Sequence, residues 1–224
     1  GLFPLARLIL QNSPNLKAEA EKLTSEAFPT ADKALAGAVD ILVEAFSEDN
    51  SLRSWTYNEI WNNSDITSTL KDQSLDEKET FKIYYDFEDK VSKLQGYRTL
   101  ALNRGEKLGV IKVNFKHNIE KMHRFYSARF KQKNDYIEEV INQSLKKKII
   151  PAMERRIRSE LTEAAEDGAI QLFSQNLRSL LLVSPLKGKM VLGFDPAFRT
   201  GAKLAVVDQT GKLITTQVIY PVAP

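Results

Sequence analysis

The sequence predicts a mainly α-helical protein whose last part changes to β-strands. Apolar residues recur every three or four positions through most of the first 180 residues, which is the spacing of one helix face. The longest such stretch begins at Pro151 and continues for about thirty positions. After residue 187, short apolar runs alternate with turn residues in "KMVLGFD", "AKLAVVD" and "KLITTQVIYP", which is typical of strands.

The composition excludes several classes of protein. The chain has 224 residues, 42% of them apolar and 27% charged, which suits one large or two modest globular domains. It has no apolar run of the roughly 20 residues that cross a bilayer, so we expect no membrane partner. Cysteine is absent, which excludes disulfides, iron–sulfur clusters and thiolate zinc sites and fits a cytoplasmic location. We expect no metal and no cofactor, since His117 and His123 are the only histidines and do not share a helix face.

The first eighty residues predict helices followed by one short extended piece. "LFPLARLILQ" has helical spacing, and Thr30 is the predicted N-cap of a helix that continues to residue 49. Ser51 is the predicted cap of the next helix, with Trp55 and Trp61 as its buried anchors. Residues 63–80 predict a turn, an extended piece and a short helix. These early helices are also compatible with a helix-turn-helix, although "NNSDITSTL" gives no clear recognition helix.

The middle of the chain predicts a strand between helices. "RTLALNRGEKLGV" predicts a helix that closes on a glycine, and "GVIKVNFKH" alternates apolar and basic residues as a half-buried strand near 109–116. Helices follow in "NIEKMHRFYSARFKQ" and "YIEEVINQSLKKKII". The lysine run Lys146–Lys148 is expected to close the second of these, where cations favourably meet the helix dipole.

The long helix is predicted to end before Ser184, Pro185 and Gly188, which mark a domain boundary. The sequence therefore divides into three parts. The first, 1–133, is a helical region with one small strand element. The second, 134–186, is a helical connector that includes the long helix, and the third, 187–224, holds the strands.

One segment of the chain is strongly basic. Residues 107–133 carry eight lysines and arginines against one acid, whereas residues 1–106 carry twelve against eighteen. Such a segment attracts nucleic-acid phosphates, and aromatic residues within it can stack on unpaired bases. Alternatively, the aromatics form the buried face of a helix and the basic residues its solvated face. The candidate nucleic-acid-binding residues are Lys112, Lys116, Lys121, Arg124, Arg129, Lys131 and Lys133, interleaved with Phe115, Phe125, Tyr126 and Phe130.

Two aspartates follow the predicted strands near the end of the chain. Asp195 ends an apolar strand, the position where ligand sites form in open α/β sheets and where a carboxylate can hold Mg²⁺. Asp-Pro is also a common turn dipeptide, so Asp195 is at the same time a candidate for a plain structural cap. Asp208 begins the segment Asp208–Gly211, a strong hairpin signal, and we expect it to be structural.

The segment "NLRSLLLVSPLKGKMVLGFDPAFRTGAKLAVVDQTGKLITTQVIYP" resembles the matching region of the Tex family, the bacterial transcription accessory proteins. "ERRIRSELTEAAEDGAIQLFSQNL" is similar to the family's long central helix. "GLFPLARLILQ", "AGAVDILVEAF" and "RTLALNRGEKLGVIKV" resemble its N-terminal and middle regions, so the resemblance covers essentially the whole chain. It implies a mainly α fold with a long connecting helix, followed by the first three strands of a ribonuclease-H-like α/β domain of the YqgF type.

The resemblance also implies a function. Tex-like proteins are multi-domain and bind nucleic acid, so the expected partners are RNA or DNA through backbone contacts, the transcription machinery and the remaining domains of the same protein. The chain is then a non-catalytic scaffold rather than an enzyme, because two-metal phosphodiester chemistry needs several carboxylates and Asp195 matches only the first. The alternative is part of a metal-dependent RuvC/YqgF-type nuclease, with Asp195 as its first metal-binding acid. An actin-like ATPase is a weaker interpretation, since the glycine-rich phosphate loop is missing.

Overall fold

The computed structural model describes residues 1–184, 186–197 and 199–220. Pro185 of the predicted boundary, Phe198 after Asp195, and residues 221–224 lie outside this description. The fold is mainly helical with two small antiparallel sheets, which confirms the predicted fold class. The chain forms two compact units, Gly1–Ile170 and Gln171–Pro224, which are described separately. The three-part division predicted above stays a prediction.

The elements of regular structure follow one another with short connections. The helices are α1 (Phe3–Leu10), α2 (Leu16–Lys22), α3 (Ala31–Ser47), α4 (Asn50–Asn63), α5 (Gly96–Lys107), α6 (Ile119–Ser127), α7 (Asp135–Gln143) and α8 (Ile150–Leu181). The strands are β1 (Asp65–Leu70), β2 (Asp86–Lys90), β3 (Ile111–Lys116), β4 (Val191–Asp195), β5 (Ala202–Val207) and β6 (Leu213–Ile219). No helix among the described residues is both long and apolar enough to span a bilayer.

Side-chain caps set the starts of α3 and α4. The Thr30 hydroxyl accepts a hydrogen bond from the Lys33 amide, which confirms the predicted cap of α3. The cap of α4 is Asp49, so the prediction of Ser51 was wrong by two residues. The Asp49 carboxylate accepts from the amides of Ser51 and Leu52 at 2.8 and 2.9 Å and also from the Ser51 hydroxyl. These bonds lower the pKa of Asp49, the Leu52 amide first among them.

The first sheet has the strand order β2-β1-β3 with antiparallel pairing throughout. The sequence predicted β1 and β3, and it missed β2, whose "DFEDK" is short and acidic. Ile66 pairs with Phe115 and Ser68 with Val113, and these positions turn toward the core. Thr67 pairs with Asn114 and Thr69 with Lys112 on the opposite, solvated face. Alternation of this kind gives a sheet with one buried side.

The segment from α7 to α8 is one continuous run of helix. Residues Ser144–Ile149 form a π-helical turn that joins α7 directly to α8. The prediction that Lys146–Lys148 closes a helix was therefore wrong, because the run lies inside a helix rather than at its end. A π-helical turn accommodates one extra residue and shifts the side chains that follow it around the axis.

The core of the first unit is contributed by every one of its long elements. Residues with at most 1% exposure come from all eight helices and from β3, and examples are Leu5, Leu35, Leu52, Leu102, Ile111, Met122, Ile137 and Ile157. Trp55 and Trp61, predicted as buried anchors, are half-buried and pack against this core. Close approach of the helices depends on small residues: a Cβ on Gly96 at the start of α5 would lie 3.3 Å from the Cα of Ala165.

The second unit holds the end of α8 and the sheet β4-β5-β6, with the predicted hairpin between β5 and β6. Gly201, just before β5, has φ of +76°, and a Cβ there would lie 3.0 Å from the Ile219 carbonyl oxygen. Glycine is therefore required at position 201, where the end of β6 pairs with the start of β5. All seven residues of β6 are exposed, as are Leu192 and Phe194 of β4.

Candidate nucleic-acid interface

The seven predicted basic residues lie on different parts of the first unit rather than in one stripe. Lys112 and Lys116 lie on the solvated face of β3. Lys121 and Arg124 belong to α6, where Lys121 contacts α4 and Arg124 lies beside the π-helical turn. Arg129, Lys131 and Lys133 follow α6 in the connection to α7.

Two of these lysines are engaged by carboxylates. The Lys116 ammonium donates to Glu88 at 2.9 Å, and this hydrogen bond raises the pKa of Lys116. The Lys121 ammonium donates to Glu59 at 2.7 Å, and Glu59 is only 7% exposed. Removing Lys121 would leave a buried carboxylate without its counter-charge, which is costly. Lys121 therefore has a structural role, and a charge reversal there tests folding before it tests binding.

Arg129 is held by the start of α4. Its guanidinium donates to the Ser51 hydroxyl at 3.1 Å and lies 5.4 Å from the centroid of the Phe125 ring. Its charge also contributes to the lowered pKa of Asp49. Arg129 thus connects the end of α6 to the cap of α4, and the residue is exposed.

Three of the four aromatic residues of the basic segment, Phe125, Tyr126 and Phe130, pack inside the fold. Phe125 stacks on Trp55 with ring centroids 3.7 Å apart, and Phe130 stacks on Phe46. Tyr126 is fully buried, and its hydroxyl pairs with Thr56 at 2.8 Å. Burial raises the pKa of Tyr126 to about 12. Of the two interpretations, the structure supports the one in which these aromatics form an apolar face, since rings stacked inside the protein are unavailable to bases.

The remaining basic residues are exposed and make no ion pair within the described part of the chain. They are Lys112, Arg124, Lys131 and Lys133. Arg124 and Lys146 line one open depression of about 440 Å³ between α6 and the π-helical turn. The depression is also lined by Ile119, Glu120 and His123, whose imidazole contacts Glu138 at 2.9 Å.

Lys146 is the functional candidate that sequence reasoning missed. Its neighbours in the lysine run have partners: Lys147 donates to Gln143 and Lys148 to Glu44. Lys146 alone of the three faces Arg124 without a partner among the described residues. No sequence signal could have found Lys146, because the periodicity of the sequence does not display a π-helical turn.

Asp195 lies at the end of β4, exposed and directly opposite Lys203 of β5. Asp208 holds the β5–β6 turn: its carboxylate accepts from the hydroxyl and amide of Thr210 and from the amide of Lys212, and these bonds lower its pKa. The structural role expected for Asp208 is thereby confirmed. The two aspartates lie at opposite ends of the paired strands β4 and β5, because Asp195 is opposite Lys203 whereas Asp208 follows Val207, the partner of Val191.

The two histidines are placed apart by the fold. His117 follows β3 and is almost buried, with Nδ1 3.0 Å from the Ser64 hydroxyl and Nε2 2.6 Å from Glu154. His123 lies on α6 between Ser127 and Glu138. Each imidazole thus has its own hydrogen-bond partners, and His117 joins the end of α4, the end of β3 and the start of α8.

A mainly helical unit with a small sheet, followed by a long helix and a three-stranded sheet, defines a helical scaffold joined to the start of an α/β domain. Family models match both parts. Residues 11–173 match the Tex central region-like model, and residues 189–224 match the Tex protein YqgF-like domain. The chain belongs to the Tex family, as its resemblance predicted.

Curated relatives agree with this assignment. The chain is 42% identical over 236 residues to the uncharacterized protein YdcI of Bacillus subtilis, covering 100% of this chain and 32% of that protein. It is 33% identical over 231 residues to the transcriptional accessory protein Tex of Neisseria gonorrhoeae, covering 98% of this chain and 30% of that protein. It is 28% identical over 201 residues to the S1 RNA-binding domain-containing protein 1 of Pongo abelii, covering 82% of this chain and 20% of that protein. The chain spans about a third of the length of its bacterial relatives.

Proposed function

We propose that this protein is a nucleic-acid-binding transcription accessory protein in which the described chain is a non-catalytic scaffold. Membership of the Tex family supports the accessory role, and a relative is named as an S1 RNA-binding domain protein. RNA, DNA and the transcription machinery are the partners of the whole protein, and further domains of the same protein dock on this scaffold.

The observation that carries the binding mode is the pairing of Arg124 with Lys146 in one depression. Two cations that make no ion pair within the described residues attract an anion when they line one site, and the nearby Glu120 limits how much negative charge the depression accepts. Since Phe125 and Phe130 are stacked inside the fold and Tyr126 is buried, contact is made to phosphates rather than by stacking on bases. Binding through phosphates is independent of sequence and weakens steeply with salt.

The non-catalytic role rests on the surroundings of Asp195. Metal-dependent phosphodiester cleavage needs several carboxylates that hold the ions between them. Asp195 lies opposite Lys203 on the neighbouring strand, and the Asp208 carboxylate accepts hydrogen bonds within the hairpin turn. A lysine opposite the first acid and a second acid engaged by amides support a scaffold rather than a nuclease centre in this chain.

The test measures, by fluorescence anisotropy, the binding of labelled single-stranded RNA and duplex DNA at about 50 and 200 mM salt. Wild-type protein is expected to bind at low salt and to weaken strongly at high salt. The variant Arg124→Glu/Lys146→Glu is expected to bind more weakly, with a slope of log K against log salt smaller by about two.

The matched control is Lys17→Glu/Lys33→Glu, which makes the same change of charge at exposed lysines outside the basic segment. It is expected to keep most of the affinity and the full slope. Absence of salt-sensitive binding by the wild-type protein would refute nucleic-acid binding by this chain. Equal loss in both double variants would instead show an effect of net charge and would remove the depression from the interface.

A further inference from the structure

Among the described residues, strand β3 has a neighbouring strand on one side only, so it forms an open edge of the first sheet. β1 pairs with β3 on one side, and the Val113 amide turns the other way, where it donates to Glu106 at 3.2 Å. In an antiparallel strand every second residue presents both main-chain groups to the same side. Phe115 therefore presents its amide and its carbonyl to the open edge together with Val113. Such an edge pairs readily with another extended segment.

A cleft runs along this edge. Val113, Asn114 and Phe115 form one wall, and Glu154, Arg155 and Arg158 of α8 form the other. The cleft is open to solvent and has a volume of about 460 Å³. Neighbouring strands lie about 4.8 Å apart, so an added strand occupies the space between the edge and α8. Phe115, which is half-buried, offers it an apolar contact.

The charges along the cleft favour a carboxylate. Glu106 already places a carboxylate at this edge: one oxygen accepts from the Val113 amide, and the other accepts from Arg158 at 2.7 Å. Glu154 is engaged by His117. Arg155 is exposed and makes no ion pair within residues 1–184, so it is the cation of the cleft that can bind an added carboxylate. Exposed Lys112 adds positive charge on the same strand.

We propose that the β3 edge binds an extended acidic segment of a partner protein as a fourth strand. Main-chain hydrogen bonds to Phe115 supply affinity, and side chains at alternate positions of the segment reach α8, where Arg155 binds a carboxylate. Glu106 and Arg158 show the same chemistry within the protein itself. The opposite edge of the sheet is unsuited to this partner, because β2 carries Asp86, Glu88 and Asp89.

The experiment uses the full chain and a labelled peptide with glutamate at alternate positions, Thr-Glu-Val-Glu-Thr-Glu-Thr. We expect saturable binding that weakens about five- to tenfold in Arg155→Glu, since an exposed ion pair is replaced by repulsion. Amide chemical shifts are expected to change at Val113 and Phe115. Arg178→Glu, the same substitution on the same helix at a residue that does not line the cleft, is expected to bind as the wild type.

Two further peptides separate strand addition from simple charge attraction. Methylation of alternate peptide nitrogens removes the strand-pairing donors and is expected to abolish binding, and lysine in place of glutamate is expected to do the same. Equal binding of the methylated peptide overturns the proposal. Single-stranded RNA provides a further test. If it competes with the peptide through Arg155 and the amide shift of Phe115 does not change, the proposal is overturned and the cleft is a phosphate site. A failure here leaves the Arg124–Lys146 depression untouched, because the two sites share no residue.

Discussion

The two sheets of this protein have the same number of strands and the same antiparallel pairing, but they differ in how far their apolar residues are buried. In the first sheet one face is buried, with Ile66 2% exposed and Ile111 1% exposed. In the second sheet Leu192 and Phe194 remain 60% and 55% exposed, and β6 is exposed along its whole length. The second sheet is richer in apolar residues than the first. Burial is therefore decided by what covers a sheet and not by how apolar its strands are.

The largest expected effect is a difference between matched truncations of the two sheets. Ile66→Ala is expected to cost about 2–5 kcal/mol of stability because it leaves a cavity in a packed core. Leu192→Ala removes the same number of carbon atoms from an exposed position and is expected to cost about 0.5 kcal/mol or less. Urea unfolding followed by tryptophan fluorescence reports on the first unit, where Trp55 and Trp61 both lie on α4. Amide exchange of β5 reports on the second unit. Similar costs at the two sites would break the comparison.

Alkaline pH is expected to destabilise the first unit through Tyr126. Its pKa is raised from 10.0 in the unfolded chain to about 12 in the fold, so the native state keeps the proton longer. The stabilisation is complete below pH 10 and is lost as the pH rises through 12, by about 2–3 kcal/mol in total.

The check is the urea midpoint at pH 9 and pH 11.5 for the wild type and for Tyr126→Phe. The variant loses the hydrogen bond to Thr56 at all pH values but lacks the alkaline component. Burial also raises the pKa values of Tyr57 and Tyr84, and the difference between the two proteins removes their common contribution. An identical alkaline loss in both proteins would contradict the assignment to Tyr126.

The smallest expected effects come from one substitution made at two glycines. Gly201→Ala is expected to destabilise the second sheet by about 1 kcal/mol or more, because φ is +76° and the new Cβ meets β6. Gly168→Ala is expected to stabilise α8 by about 0.5–1 kcal/mol, since this glycine is helical and has nothing within 4 Å of the new Cβ. Amide exchange of β6 measures the first change, and thermal unfolding followed by circular dichroism measures the second. The same sign at both positions would refute the distinction.

Much of the fold was predicted from periodicity, and the errors concern features that depend on the tertiary fold rather than on local sequence. The helix α1, the helices from α3 to α8 and the strands β1, β3 and β4–β6 were predicted, because each carries its own apolar repeat or turn signal. β2 was missed since its residues are mostly acidic, and only pairing with β1 makes it a strand. The Ser51 cap was misplaced because Asp49 and Ser51 have equal capping chemistry, and the backbone path chooses between them.

The candidate site was predicted less completely than the fold. The sequence identified Lys112, Arg124, Lys131 and Lys133, which make no ion pair among the described residues. It also included Lys116 and Lys121, whose carboxylate partners come from distant parts of the chain. Proximity in sequence cannot show which lysine is already paired. Lys146 was assigned a different role for the same reason, since its position beside Arg124 depends on the packing of α6 against the helix that follows.

The π-helical turn at Ser144–Ile149 has a consequence for how this protein tolerates changes of length. A π-helical turn is equivalent to a single-residue insertion in an α-helix. Deletion of one lysine from the run would return the segment to regular α geometry, and the residues on its two sides would keep nearly their present phase, because the π-helical turn absorbs one extra residue within a wider turn. Ile137 and Ile141 before the turn and Met153 and Ile157 after it would then stay in the core. Loss of one residue is thus tolerated in this run, whereas the same deletion inside a regular helix turns the side chains that follow by about 100°.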